Sequence, residues 1–155
     1  MPSVLVTGAG RGIGLAITRH MSARGWDVYA TARSDSALSE LGAMPRVHPT
    51  RLDITDRESL KGLAAQLPEK LDGVVNNAGI VVNGPVEGLT LDDLSRQLDV
   101  NVVAQIGVTQ AVLPKIRAAK GRIVFISSVS GLITTPGTGA YCASKYALES
   151  LADAL

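Results

Sequence analysis

Five short apolar, β-branched runs alternate along the chain with longer segments of helical period, and this alternation limits the possible folds more than any other feature. The runs lie at Ser3 to Thr7, Asp27 to Thr31, Val47 to Leu52, Gly73 to Asn76 and Arg122 to Ser127. Between them apolar residues recur at helical spacing: Ile13, Ala16, Ile17 and Met21 in one connection, Leu60, Leu63, Ala64 and Leu67 in another. Each connection therefore carries one stripe to lay on a sheet. Parallel strands joined by crossover helices satisfy this pattern. The fourth and fifth runs, GVV and RIVFI, are continuously apolar, as strands covered on both faces are, so both are expected in the middle of the sheet.

Composition supports an α/β domain. Of 155 residues, 46% are hydrophobic but only 3% aromatic, so the interior must be built from Val, Ile, Leu and Ala. No repeat or linker interrupts the chain, and residues 1–155 are expected to form one domain. Fifteen basic and fourteen acidic residues, scattered along the chain, leave a net charge of +1 and no footprint for nucleic acid or an anionic membrane. Small molecules are the expected partners. Cys142 is the only cysteine, so neither an internal disulfide nor a thiolate metal cluster is expected, and no metal site is assigned. The opening MPSVLVTGAGRGIG lacks a basic leader, and no apolar stretch approaches the ~18 residues that span a bilayer. A cytoplasmic location is the expectation.

The first chemical motif is TGAGRGIG, Thr7 to Gly14, placed where the first strand turns into the first helix. A helix starting there points free N–H groups and the positive end of its dipole into the turn. Gly8, Gly12 and Gly14 let a pyrophosphate approach without meeting a Cβ. The spacing is T-G-x-x-x-G-x-G rather than G-x-G-x-x-G. With the strand pattern it specifies a Rossmann-like, doubly wound parallel sheet in the order 3-2-1-4-5, cut off before the last strands of such a fold. The apolar pattern is still running at Leu148, Leu151, Ala152 and Leu155. Five strands would leave the fifth as an open edge. The expectation is an excerpt of a longer protein, or an edge covered by another chain.

Tyr141 and Lys145 stand four residues apart in a helical segment, hence on one face. An ammonium beside a phenol favours the phenolate, as proton exchange with a substrate oxygen requires. Ser128 follows the fifth run, at the carboxyl edge where α/β sheets bind ligands. Its hydroxyl suits a substrate oxygen, although a serine in that place is more commonly a turn or helix cap.

Five motifs in order, TGAGRGIG, NNAG at Asn76 to Gly79, Asn101, ISS ending at Ser128, and YCASK at Tyr141 to Lys145, resemble the classical short-chain dehydrogenase/reductase family over essentially the whole chain. The resemblance implies an oxidoreductase interconverting a ketone or aldehyde and an alcohol by hydride transfer. It implies Tyr141 as acid or base, Ser128 holding the substrate oxygen, Lys145 bonding the nicotinamide ribose, and Asn101 ordering a water for proton transfer. Asn77, Ala78 and Gly79 would line the ribose side of the cofactor, while Asn76 would brace the fourth strand through backbone hydrogen bonds. Gly8, Arg11, Gly12, Ile13 and Gly14 would hold its phosphates, with Asp53 and Ile54 near the adenine. Asp53 taken alone reads instead as a helix cap.

The second run ends YATAR, placing Ala32 and Arg33 where an NAD-preferring fold carries an acid. Arg11 and Arg33 suit a 2′-phosphate, so NADP(H) is expected over NAD(H). The resemblance also implies a homodimer or homotetramer built on the helix after Asn101 and the helix of Tyr141. Val108, Ala111 and Val112 fit either that contact or the core, and Pro114 suggests a bend or end of the helix. The competing reading is a truncated, non-catalytic nucleotide-binding or interaction module.

Overall fold

A computed structural model describes residues 1–155. Its sheet has five parallel strands, β1 (Ser3–Val6), β2 (Asp27–Ala32), β3 (Val47–Arg51), β4 (Gly73–Asn76) and β5 (Arg122–Phe125), in the order β3-β2-β1-β4-β5. The crossovers carry α1 (Gly12–Ala23), α2 (Asp35–Gly42), α3 (Arg57–Leu63), α4 (Leu91–Leu98) and α5 (Ala104–Ala119), and α6 (Gly139–Asp153) follows β5. No helix is long and apolar enough to cross a membrane.

The two-residue period of the strands splits the core into two layers. Val4, Val6, Val28 and Ala30 join Leu41 of α2 and Val47 in one cluster, against which Leu15, Ile17 and Met21 of α1 pack. Leu5 and Val74 face the other way, onto Leu63 of α3 and Val108, Val112 and Ile116 of α5. Helices therefore cover both faces.

Some of these expectations are corrected or narrowed. β5 lies at the sheet's edge, as the order 3-2-1-4-5 has it and not in the middle as its apolar run suggests: it pairs only with β4, and Arg122 and Val124 are exposed. The apolar run therefore does not report two covered faces here, since the face carrying Arg122 and Val124 is open. On α1 the stripe is rotated, since Gly14, Thr18 and Ser22 are buried while Ile13 and Ala16 are exposed. Pro114 does not end α5, which runs on to Ala119. The carbonyl it deprives of a partner is that of the exposed Gln110, within reach of water. Of the two places open to Val108 and Val112, the structure gives the core, where both are wholly buried.

Candidate active site

Parallel strands deliver all their carboxyl ends to one edge, and there the turns after β1, β2, β3 and β4 enclose a cavity of about 600 Å³. Gly8, Arg11, Gly12 and Ile13 line it from the glycine turn. Ala32 and Arg33 come from the end of β2, Asp53 and Ile54 from the turn after β3, and Asn77, Ala78 and Gly79 from the turn after β4. Thus nearly every residue expected to touch a cofactor meets the others in one crevice. Three stand apart: Tyr141 and Lys145 do not line this cavity, and Gly14 lies buried behind the turn, where a Cβ would stand 2.4 Å from the Gly8 carbonyl oxygen. Its absence of a side chain permits a backbone contact rather than a ligand contact.

The turn suits an anion. No side chain caps the N-terminus of α1, no acidic residue occupies its first turn, and the N-cap is Arg11. Free donors and an uncompensated positive dipole end therefore border the crevice. Gly12 has φ +55°, and the space its Cβ would enter is open. A pyrophosphate fits these donors and this space.

The walls are tied together by hydroxyls and amides. Thr7 Oγ1 accepts from the backbone N–H groups of Asn77 and Ala78 at 3.0 and 3.1 Å, fastening the β4 turn to the end of β1. Asn77 donates from Nδ2 to the carbonyls of Thr7 and Gly8, so its amide braces the glycine turn while the residue lines the crevice. Asn76 does not brace β4 through its backbone alone. Its buried amide reaches across to α5 and donates to Thr109 Oγ1 at 2.9 Å.

At the outer wall, Arg33 stands 3.8 Å from Asp53, both side chains being substantially exposed. Asp53 Oδ1 accepts from the hydroxyl and the backbone N–H of Thr55, and these bonds, more than Arg33, hold its carboxyl below the usual carboxylate range. Asp56, not Asp53, caps α3 by accepting from Glu58 N–H.

Ser128, Tyr141 and Lys145 stand outside that cavity, on the β5 side of the same edge. Lys145 is 5% exposed, and its Nζ donates to the Ile126 carbonyl at 2.7 Å, just past the end of β5. It lies 5.7 Å from the centroid of the Tyr141 ring. Burial pushes the Lys145 pKa down from 10.5, and Glu149 one turn further along α6 opposes that shift. Ser128 Oγ accepts from Ser130 N–H and caps a short 3₁₀ turn. The capping bond uses a lone pair and leaves the hydroxyl proton free to donate.

Asn101 sits in a π-helical turn, Asp99–Val103, between α4 and α5. It is fully buried, and its side chain both accepts from Ile80 N–H and donates to Ile80 O and Ser144 Oγ. Ser144 in turn donates to the Tyr141 carbonyl at 2.7 Å. A chain of hydrogen bonds thereby runs from the crevice wall to the helix carrying Tyr141. The side chain of Asn101 has its donors fully engaged in this chain. Sequence reasoning did not single out Thr7 or Ser144. Both lie inside motifs it had found, but only the fold shows which atoms their hydroxyls meet.

A family model described as short chain dehydrogenase matches residues 2–155. Retinol dehydrogenase 5 of Mus musculus is 39% identical over 160 residues, covering 98% of this chain and 50% of the relative. The 3-amino-tetrahydro-pyrrolizinone reductase of Xenorhabdus hominickii is 39% identical over 158 residues, covering 99% and 54%. The chain thus spans about half the length of the curated relatives it matches. Among solved structures, a short-chain dehydrogenase from Streptomyces avermitilis superposes with TM-score 0.93 at 35% identity, covering 99% of this chain and 60% of that one. An alcohol dehydrogenase from the archaeon Thermococcus sibiricus, complexed with 5-hydroxy-NADP, superposes with TM-score 0.94 at 26% identity, covering 99% and 69%.

Proposed function

The chain belongs to the short chain dehydrogenase family, and from that premise we propose that it binds NADP(H) in the crevice and interconverts a ketone or aldehyde with an alcohol. When bound, the nicotinamide supplies or takes the hydride. Tyr141 gives or takes the proton at the substrate oxygen, Ser128 donates its free hydroxyl proton to the same oxygen, and Lys145 holds positive charge beside the phenol. Asn101 fixes the crevice wall relative to α6 through its bonds to Ile80 and Ser144.

The observation that carries this reading is the buried Lys145 beside Tyr141, held by the Ile126 carbonyl at the same sheet edge as the uncapped N-terminus of α1. Burying a cation costs stability, so its retention there is understandable if a phenol must be helped to ionise. Arg33 and Arg11 on the crevice wall support a 2′-phosphate, with Asp53 as the anion that Arg33 would exchange for it. A homo-oligomer is supported by the exposed Val103 beside a second cavity that Ile106 and Leu60 also line. The single buried thiol suits the reducing cytoplasm.

The test follows absorbance of the reduced cofactor against a panel of ketones and aldehydes. Tyr141→Phe is expected to lose at least about a hundredfold in kcat while keeping its affinity for NADPH. Undiminished turnover in that variant refutes the assignment. Cofactor binding without turnover of any carbonyl by the parent protein favours the non-catalytic module.

A further inference from the structure

The segment following β4, Asn77 to Val82, leaves the sheet and has no strand beside it, yet Ala78, Ile80 and Val82 are half-buried and their backbone groups need partners. Three side-chain amides supply them. Gln105 Nε2 donates to the Ala78 carbonyl at 2.8 Å, Asn101 bonds both the N–H and the carbonyl of Ile80, and Gln97 accepts from Val82 N–H at 2.6 Å while donating to the Ile80 carbonyl at 3.0 Å. All three amides are at most 1% exposed.

Their spacing has a simple cause. Residues 97, 101 and 105 are four apart on one continuous helical path, and they meet residues 82, 80 and 78, two apart and in the opposite direction. Four helical residues rise about 6 Å. Two residues of extended chain advance about 6.6 Å. A column of amides on a helix can therefore read every second residue of an extended strap, and the primary amide, with an NH₂ that donates and a carbonyl that accepts, can satisfy either kind of backbone group. The orientation of Gln105 is forced, because turning its amide over would set two carbonyl oxygens against each other. Its Oε1 is buried without a partner, so the amide is kept for the donor bond it makes.

We propose that Gln97 and Gln105 are positioning residues which, on either side of Asn101, set the distance of the strap from the crevice and so the affinity of the site for its dinucleotide. The last clause rests on the function proposed above. Ala78, Gly79 and Ile80 of the strap line the crevice directly, whereas none of the three amides does.

The test uses Gln97→Met, Gln105→Met and Gln105→Glu, with NADPH as the probe and amide hydrogen exchange as a readout that needs no cofactor. Gln97→Met is expected to expose Val82 N–H to exchange while Leu5 and Val74 in the core remain protected. Gln105→Met should raise the NADPH Kd about tenfold through the unsatisfied Ala78 carbonyl. In Gln105→Glu only the protonated carboxyl can donate to Ala78, so the ratio of variant to parent Kd should fall toward one as pH drops through the raised pKa of a buried glutamate. A merely structural role predicts lowered Tm in all three, with unchanged Kd, no selective exchange at Val82 and no pH dependence of that ratio. That result overturns the proposal. A parent protein that fails to bind NADPH refutes instead the function it rests on, and the exchange measurement still decides whether the amides hold the strap.

Discussion

Ala32 shows how much of the site's selectivity hangs on one Cβ. It lines the crevice beside Arg33 and is nearly buried, so a carboxylate there would face both the guanidinium and any phosphate held by it. Ala32→Asp is predicted to weaken NADPH binding about a hundredfold while sparing or improving NADH binding, as read by titration of each. Lys145 allows a second prediction. Its pKa is lowered in the folded state, so between that lowered value and 10.5 the unfolded chain binds more protons, and the contribution of this group to stability rises with pH. The cost is present in full below the folded value and is relieved above it. Replacing Lys145 by Met should remove this alkaline gain, so parent-minus-variant stability from denaturant melts should climb with pH in that window. A flat difference contradicts the burial argument. Residue types were legible here because the chemistry needs them in fixed order, which is why Tyr141, Lys145 and the glycine turn could be read from spacing. The cap made by Ser128 and the brace made by Asn77 could not, since each depends on which backbone group lies opposite in space.

Among the elements, the strands were found wherever β-branched runs stood between turn signals, but the first, third and fifth runs extend past the strands' ends, while the second stops one residue short at Thr31. Thr7, Leu52 and Ile126 continue the apolar or β-branched pattern beyond the last ladder pair, and each still donates its N–H to the neighbouring strand, at Val75, Ala32 and Asn76. The π turn at Asp99–Val103 left no sequence signal. It places Asn101 toward Ile80 and Ser144, contacts separated by 21 and 43 residues. Local signals do account for α4, where Thr90 accepts from Asp93 N–H at 3.1 Å and donates to the carboxylate of the same residue at 2.9 Å. Thr90→Ala should lower Tm by about 2–4 °C without altering cofactor affinity, by differential scanning calorimetry and titration respectively.

At the scale of the whole molecule, the sheet order and both apolar layers follow from period-2 strands laid under amphipathic helices, and all of this could be read from the alternation of runs. The exposure of one face of β5 could not, because the run is apolar almost throughout although Arg122 and Val124 stand exposed. The carboxyl edge that results brings an uncapped helix end, two arginines and the pair Tyr141 and Lys145 to one side of the molecule, although they come from positions 11 to 145 of the chain. The most direct test of this account is a calorimetric titration with NADPH, run on the parent and on Gly14→Ala, whose added Cβ would collide with the Gly8 carbonyl. The account predicts one NADPH per chain, bound more tightly than NADH, and loss of binding in the variant even where circular dichroism shows it folded. No heat of binding from the parent, or equal binding by the two proteins, would contradict it.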